Sequence, residues 1–422
     1  MNIKAISSII ADFHSSILPA YSPRELKVPL KSGKIITITG PRRCGKTYYL
    51  YQTADELMKT GVKKKRIIYI NFEDDRLEGI EADDILSAYH ELYPDEKITG
   101  IYLLFDEIQS LPNWEKIIRR VYDSETKNIY LTGSNAEVLR DDISSALRGR
   151  SVNYELGTLS FREYLTFMGR NSSDKTTENK RVIESTLTEY SEFGGFPEIV
   201  GMDKDLKVRV LQEYFNVMIY RDIIEHYQMA NAVGVRSIMK KAIKSFSKEF
   251  SINKAYNEMK SQGIKISKET VYGLMEKSKS IYFADFLYKH RSHGNSVNEI
   301  RKLYLSDVGY AAGELFGNDE TRGRKIENIV FNQLRKTKSV YYEKNSFEMD
   351  FLIEERSKRT GIQVTWELNH DNIDREVYPL KIMLKNKRIN DARMIVMNRI
   401  PSKLKLESGI DYLSLADYLL ET

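Results

Sequence analysis

From residue 34 onward the chain alternates short, continuously apolar runs with segments of helical spacing. "KIITIT" (34–39) leads into a glycine-rich turn and then the helical pattern "TYYLYQTADELMKTG". "RIIYINF" (66–72), "IYLLFDE" (101–107) and "NIYLTGS" (128–134) are further apolar runs, each followed by a polar segment with helical periodicity. Runs that are apolar throughout, rather than at every second position, belong to strands covered on both faces. Strand–helix repetition over about 150 residues therefore predicts an α/β domain with a parallel sheet. "SVNYEL" (151–156) supplies a candidate fifth strand.

The rhythm changes after residue 157. "FREYLTFMGRNSSDKTTENK" holds a helical piece and then a polar loop, and "LKVRVLQEYFNVMIYRDIIEHY" (206–227) reads as one long helix. Between 236 and 299 three short helices and a hairpin follow one another, the order of a winged helix-turn-helix. Its turn falls at "SQGIKIS" and its recognition-type helix at "KETVYGLMEKSK", which brings Lys265, Lys268, Lys277 and Lys279 towards nucleic-acid phosphates and turns Tyr272 to the core. From 300 onward the pattern is a helix, paired strands and an α/β finish. Four segments result: 1–157, 158–235, 236–299 and 300–422.

Bulk properties narrow the field only a little. A chain of 422 residues exceeds a single core, in keeping with several domains. With 41% hydrophobic and 30% charged residues the composition is that of a globular protein, and a net charge of +5 permits a local basic face without implying a nucleic-acid-coating protein. The lone cysteine, Cys44, excludes an internal disulfide framework. No stretch reaches the ~20 apolar residues of a membrane span, and the N-terminus has no long apolar region of the signal-peptide kind. A soluble, cytoplasmic protein without membrane partners is expected.

The chemistry concentrates at the ends of the apolar runs. "GPRRCGKT" (40–47) is a complete Walker A phosphate loop, placed between a strand and a helix as that motif requires. Gly40 and Gly45 let the loop Pro41-Arg42-Arg43-Cys44 fold so that its backbone N–H groups, which only Pro41 lacks, and those of the following residues turn inward around a polyphosphate, with Tyr48 in the first helical turn. Lys46 is expected on the β- and γ-phosphates of ATP and the Thr47 hydroxyl on Mg²⁺. "IYLLFDEIQ" (101–109) delivers Asp106 to a strand end as a second Mg²⁺ ligand, and Glu107 beside it as the base that polarises the attacking water. One strand later "IYLTGSN" offers Ser134 or Asn135 as a γ-phosphate sensor. "LRGR" (147–150) offers Arg148 or Arg150 to stabilise charge on the transferred phosphoryl group, from the same or a neighbouring subunit. Arg42 and Arg43 are bulky cations inside the loop, set to meet phosphate or a polyanionic partner.

"GPRRCGKT", "FEDDRL", "LLFDEIQSLPNWE", "LTGSN", "LRGR", "GGFPE" and "YRDII", in this order, resemble the archaeal-type predicted ATPases of the AAA+ superfamily over nearly the whole chain. The resemblance implies a sheet order of 5-1-4-3-2, a winged helix, and a degenerate C-terminal domain of restriction-endonuclease type, expected to be retained as a scaffold for DNA or subunit contacts. "EMDFLIEERSKRTGIQVTWE" (348–367) is close to the strand pair of such nucleases: Asp350 ends one hydrophobic strand, and Gln363 and Thr365 occupy the positions of the Glu/Gln and Lys on the next. The resemblance also supplies the first acid, Glu327 in "RKIENIVFNQLRK". In an active enzyme Glu327, Asp350 and residue 363 would bind a metal and a lysine would stabilise the attacking hydroxide. Thr365 cannot serve as that cation; Lys381 on the following helix is a candidate replacement. The expected function is an ATPase coupled to DNA- or protein-binding C-terminal domains, with a homo-oligomer as one possible assembly. The alternatives are a nucleotide-gated switch with little turnover and an ATP-dependent nuclease.

Overall fold

A computed structural model describes residues 2–77, 79–80, 82–96, 99–134, 147, 149–172, 176–290, 301–336, 339–355, 358–398, 400 and 404–421. The chain divides into two compact units, the first Met1–Thr158 with Ser280–Tyr282 and the second Leu159–Lys279 with Phe283–Thr422.

In the first unit the apolar runs are strands β1 (Ile35–Thr39), β2 (Ile67–Asn71), β3 (Tyr102–Asp106), β4 (Ile129–Gly133) and β5 (Ser151–Glu155). All pair in parallel, in the order β2-β3-β4-β1-β5, which is the 5-1-4-3-2 order expected. Successive residues serve opposite cores, because side chains alternate across a strand. Ile35, Ile68, Ile70, Leu103, Phe105 and Leu131 pack on one face. Ile36, Ile38, Ile67, Tyr102, Leu104 and Tyr130 pack on the other, against Leu50, Ala54 and Leu57 of the helix Lys46–Lys59. The structure adds a helix before the first strand, Asn2–Ser15, whose Ile6, Ile9, Ile10 and Phe13 recur at helical spacing and are buried.

The second unit starts with the helices Phe161–Phe167 and Thr177–Phe193. The first opens on a capping box: the Ser160 hydroxyl accepts from Glu163 N at 3.1 Å and the Glu163 carboxylate accepts from Ser160 N at 2.9 Å. The long helix expected over 206–227 is in two registers, α-helical over Lys204–Val217 and π-helical over Met218–Glu225, with His226 N bonded back to Arg221 O. π-Helical turns are rare and recur at functional sites; nothing in the packing here explains this one.

The helix Ala232–Lys244 is followed by β6 (Lys248–Phe250), the helices Ile252–Ser261 and Lys268–Ser280, β7 (Ala284–Tyr288) and β8 (Arg301–Leu305). These strands form an antiparallel sheet in the order β6-β8-β7. β8 lies beyond the boundary expected at residue 300, yet it is the central strand of this sheet.

A second five-stranded sheet, order β13-β12-β11-β10-β9, contains β9 (Ser339–Lys344), β10 (Glu348–Glu355), β11 (Lys358–Thr365), β12 (Asp391–Val396) and β13 (Asp411–Ser414). β9, β10 and β11 are antiparallel, and β11, β12 and β13 parallel. The helix Arg322–Leu334 covers one face through Ile326, Ile329 and Val330. The helix Ile373–Lys385 covers the other through Val377, Leu380 and Met383. Asp350 is the third residue of β10 rather than its end, and the strand's apolar residues continue past it to Ile353. Among the described residues no helix is long and apolar enough to cross a membrane.

The "GGFPE" stretch is held from outside itself. Asp307, buried after β8, accepts from Gly195 N at 2.9 Å and from Gly309 N at 2.7 Å. Gly194 has φ +78°, and a Cβ there would meet Asp307 Oδ1 at 1.7 Å, so only glycine fits. Replacing Asp307 by Ala strands both buried amides. Each lost bond to a charged acceptor is worth ~1.5–3 kcal/mol, so Asp307→Ala should lower the stability of the second unit by about 3 kcal/mol in urea unfolding. A change below about 1 kcal/mol would show that water satisfies these amides.

Candidate functional site

The phosphate loop leaves β1 at the carboxyl edge of the sheet, against the backbone that follows β5. Leu156 N donates to Thr39 O at 2.8 Å, and a Cβ on Gly40 would sit 2.0 Å from Leu156 O, which is why glycine is required. Gly45, at φ +97°, ends the loop in the left-handed region and precedes the helix Lys46–Lys59. Arg43 also has positive φ, at 63°. Buried Arg24, on a segment with no sequence motif, anchors the loop from behind: its guanidinium donates to Cys44 O at 2.8 Å, Gly157 O at 2.7 Å and Thr158 O at 3.2 Å. Cys44 is buried, and burial pushes its thiol pKa up.

The expected residues of the two motifs converge. The Thr47 hydroxyl donates to Asp106 Oδ2 at 2.6 Å. Lys46 Nζ donates to Gly40 O and Pro41 O, both at 3.2 Å, and stands 3.3 Å from Glu107 Oε1. The lysine is only 4% exposed. Burial alone would lower its pKa, but the Glu107 carboxylate, with Cys44 and Asp106, outweighs burial and raises it. For Glu107 burial pulls upward, and Lys46 together with a 2.6 Å bond from Gln109 Nε2 overrides it and leaves the carboxyl below its ordinary value. Asp106 goes the other way: burial raises it, against the Thr132 and Thr47 hydroxyls. Glu107 adopts φ 49°, a left-handed conformation uncommon for a residue with a Cβ and typical of strained functional positions.

Two supporting residues escape motif reading. Thr132, in the middle of "LTGSN", donates to Asp106 Oδ1 and accepts from Glu107 N at 3.0 Å, so one hydroxyl orients both acids. Tyr69 of β2 donates to Asp106 Oδ2 at 3.2 Å. Their signal was parallel register: β2 and β4 flank β3.

The remaining expected residues divide. Ser134 is buried just past the end of β4, at the same edge of the sheet. Arg42 pairs with Glu73 at 3.5 Å, and Tyr48 is exposed. Asn135 and Arg148 lie outside the described residues. Arg150 is not brought to this edge. It precedes β5, its carbonyl accepts from Ile35 N at 2.8 Å, and its guanidinium holds Asp123 at 2.9 and 3.2 Å. That is the amino edge of the sheet, roughly 13 Å down the strands from the loop at about 3.3 Å per residue.

In the second unit Glu327 and Asp350 do come together, and Gln363 Oε1 accepts from Asp350 N at 3.3 Å. The Thr365 hydroxyl turns to Glu367 O at 3.1 Å. Lys381 is elsewhere, exposed and paired with Glu407 at 3.0 Å on the helix of the opposite face. The cation among the acids is Lys302 of β8.

Residues 32–165 match the AAA domain family, and residues 184–321 match a domain family of unknown function. The chain is 33% identical over 386 residues to the uncharacterized protein MJ1544 of Methanocaldococcus jannaschii, covering 89% of this chain and 84% of that one. It is 25% identical over 392 residues to an uncharacterized protein of Haemophilus influenzae, covering 92% and 94%. Among solved structures it is similar to the ORC2 protein of Aeropyrum pernix in its ADP form, with 14% identity, coverage of 60% of this chain and 81% of that one, and a TM-score of 0.34.

Thr132→Val keeps shape and removes the hydroxyl that orients Asp106 and Glu107. A lost hydrogen bond worth ~1.4 kcal/mol in the transition state is tenfold in rate. Nucleoside triphosphate turnover should fall about tenfold or more with little change in nucleotide affinity; unchanged turnover would remove Thr132 from the site.

Proposed function

The chain belongs to the AAA+ family of P-loop ATPases, and we propose that it binds ATP with Mg²⁺ at the phosphate loop, hydrolyses it, and passes the nucleotide state to DNA- or protein-binding elements in the second unit. The observation that carries this reading is the convergence at one sheet edge of Lys46, Thr47, Asp106 and Glu107, each bonded to another member of the set. The backbone N–H groups of the loop 40–47, Pro41 excepted, and the amino end of the helix Lys46–Lys59 donate to the phosphate oxygens of the substrate. Lys46, kept charged by its acidic neighbours, neutralises phosphate oxygens. The Thr47 hydroxyl and Asp106 carboxylate are hard oxygen donors, suited to Mg²⁺ and inviting to few softer metals. When bound, Mg²⁺ supplies charge neutralisation on the polyphosphate. Glu107, ionised at neutral pH, accepts a proton from water as the water attacks the terminal phosphorus, and Thr132 fixes its backbone. The bond broken is that between the terminal phosphorus and its bridging oxygen; ADP and inorganic phosphate leave.

Ser134 serves as the γ-phosphate sensor in this reading. Arg150, committed to Asp123 at the far edge of its own sheet, acts on a second copy of the chain if it acts on phosphate at all, which favours a homo-oligomer. Steady-state hydrolysis tests the proposal. The wild type should release phosphate with Mg²⁺, Lys46→Ala should lose nucleotide binding, and Glu107→Gln should keep binding while turning over at least ~100-fold more slowly. Turnover surviving in Lys46→Ala would overturn it, and an equal fall of affinity and rate in Glu107→Gln would make Glu107 a structural residue.

The order helix, strand, helix, helix, strand, strand over 232–305 supports a winged helix in the second unit. On its third helix Lys268, Tyr272, Glu276 and Lys279 form the exposed side, with Lys265 exposed in the turn before it. Tyr272 is 40% exposed rather than turned to the core. Lys277 lies over the Tyr227 ring and Lys279 pairs with Asp285, which leaves Lys265 and Lys268 as the best placed for phosphates. DNA affinity should therefore fall with added salt, and replacing both lysines by Glu should weaken binding and reduce the log–log salt slope by about 2. Affinity indifferent to salt would assign this face to a protein partner.

A further inference from the structure

The acids of the C-terminal sheet enclose an ammonium rather than an open metal position. Lys302 Nζ is 2.9 Å from Glu348 Oε1, 3.2 Å from Glu327 Oε1 and 3.6 Å from Asp350 Oδ1. Its side chain is 3% exposed. The three acids come from two elements. Glu327 is on the helix Arg322–Leu334, and Glu348 and Asp350 stand two apart on β10 and so share a face. An ammonium has three N–H donors, and three carboxylates surround this one.

The lysine enters from a different sheet. β8 is the centre of β6-β8-β7, and nothing in the spacing of the C-terminal strands points to it. Two residues on, on the same face of β8, Tyr304 donates to Glu327 Oε1 at 2.6 Å, and its ring stacks on Phe331 with centroids 4.2 Å apart. The acids are braced from their own side: Asp350 Oδ2 accepts from Val364 N at 2.9 Å, and Glu348 also meets Lys344 at 3.3 Å. Lys344 in turn holds Glu249 of β6 at 2.9 Å. Charges thus alternate continuously from β6 through β9 and β10 to β8.

We propose that Lys302 is a built-in counter-cation: its ammonium takes the place that a divalent ion would hold among Glu327, Glu348 and Asp350, and the acids act as a latch joining the three-stranded sheet to the C-terminal sheet. A buried ammonium against three carboxylates is strongly coupled to them, and removing it leaves buried, unpaired charge. Around the ammonium the acids are not arranged to hold a metal ion, but without the amine they are left as hard oxygen donors of the type that suits Mg²⁺ or Mn²⁺. The latch and a working metal site are therefore exclusive uses of one set of carboxylates. The rival arrangement, a live hydrolytic site in which Lys302 stands beside a bound metal, needs Asp350 to bind metal in the wild-type protein.

The test is Mn²⁺ binding to the full-length chain, read by electron paramagnetic resonance, together with thermal unfolding with and without Mn²⁺. Wild type and Asp350→Asn should bind equal numbers of Mn²⁺ ions. Lys302→Ala should unfold at lower temperature, bind one further Mn²⁺ per chain, and regain stability with it. Lys302→Ala combined with Asp350→Asn should lose both the added ion and the rescue. Lys302→Met preserves the length of the stem and repeats the measurement if the alanine variant does not fold. The proposal is overturned if Asp350→Asn removes an Mn²⁺ ion that the wild type binds, or if the wild type cleaves DNA with Mn²⁺ in an Asp350-dependent way. It is equally overturned if a folded Lys302 variant gains no metal.

Discussion

Lys46 is buried and charged, and the largest charge that lets it be both is Glu107, 3.3 Å away. Removing an ammonium from water is costly unless a counter-charge and hydrogen-bond acceptors replace the water. Here the acceptors are the Gly40 and Pro41 carbonyls and the counter-charge is the residue after β3. The arrangement therefore demands that β1 and β3 end at the same edge, one strand apart across β4, and that the loop close tightly on itself. The glycine at 40, the left-handed turn at Glu107 and the parallel order of the sheet are conditions for that one ion pair.

The rest of the first unit serves this edge. Strands β1 to β4 feed two separate cores and make a rigid platform, since each of them is packed on both faces. Asp106 and Glu107 are then oriented by groups from both neighbouring strands, Tyr69 from β2 and Thr132 from β4. Arg24 closes the arrangement from the loop's far side by binding three carbonyl oxygens. Adjacent acids with opposite pKa displacement follow from this packing: Asp106 faces hydroxyls in a buried place, Glu107 faces an ammonium.

The second unit solves a similar problem with the same residue type. Lys302 is as buried as Lys46, and its carboxylates come from a helix and a strand remote in sequence. Around Lys46 the lysine sits in a glycine loop that a phosphate can enter. Around Lys302 the ammonium is enclosed by acids and lies over the Tyr342 ring, and the interaction joins one sheet to another. Two backbone carbonyls and one carboxylate stand around the first lysine, and three carboxylates around the second.

How much of this could be read along the chain follows from the range of each interaction. The phosphate loop, the Asp106–Glu107 pair and the strand positions are local patterns, because a strand buried on both faces and a glycine turn are set by residues a few places apart. The helix Asn2–Ser15 was legible too, in Ile6, Ile9, Ile10 and Phe13, although no motif drew attention to it. The composite α and π character of 204–225 was not, since both helices share one apolar spacing. Arg150 stood out as a guanidinium following a helical stretch; that it lies at the opposite edge of its own sheet, with Asp123, is set by the parallel register of β1 and β5. Lys302 read as one more charged residue in "RKLYL", and no spacing linked it to Glu327, Glu348 and Asp350. Sequence alone determined the elements and the phosphate loop, whose physics is local. Only the tertiary structure decided which charges face one another, because Coulomb attraction and burial act through space and are indifferent to distance along the chain.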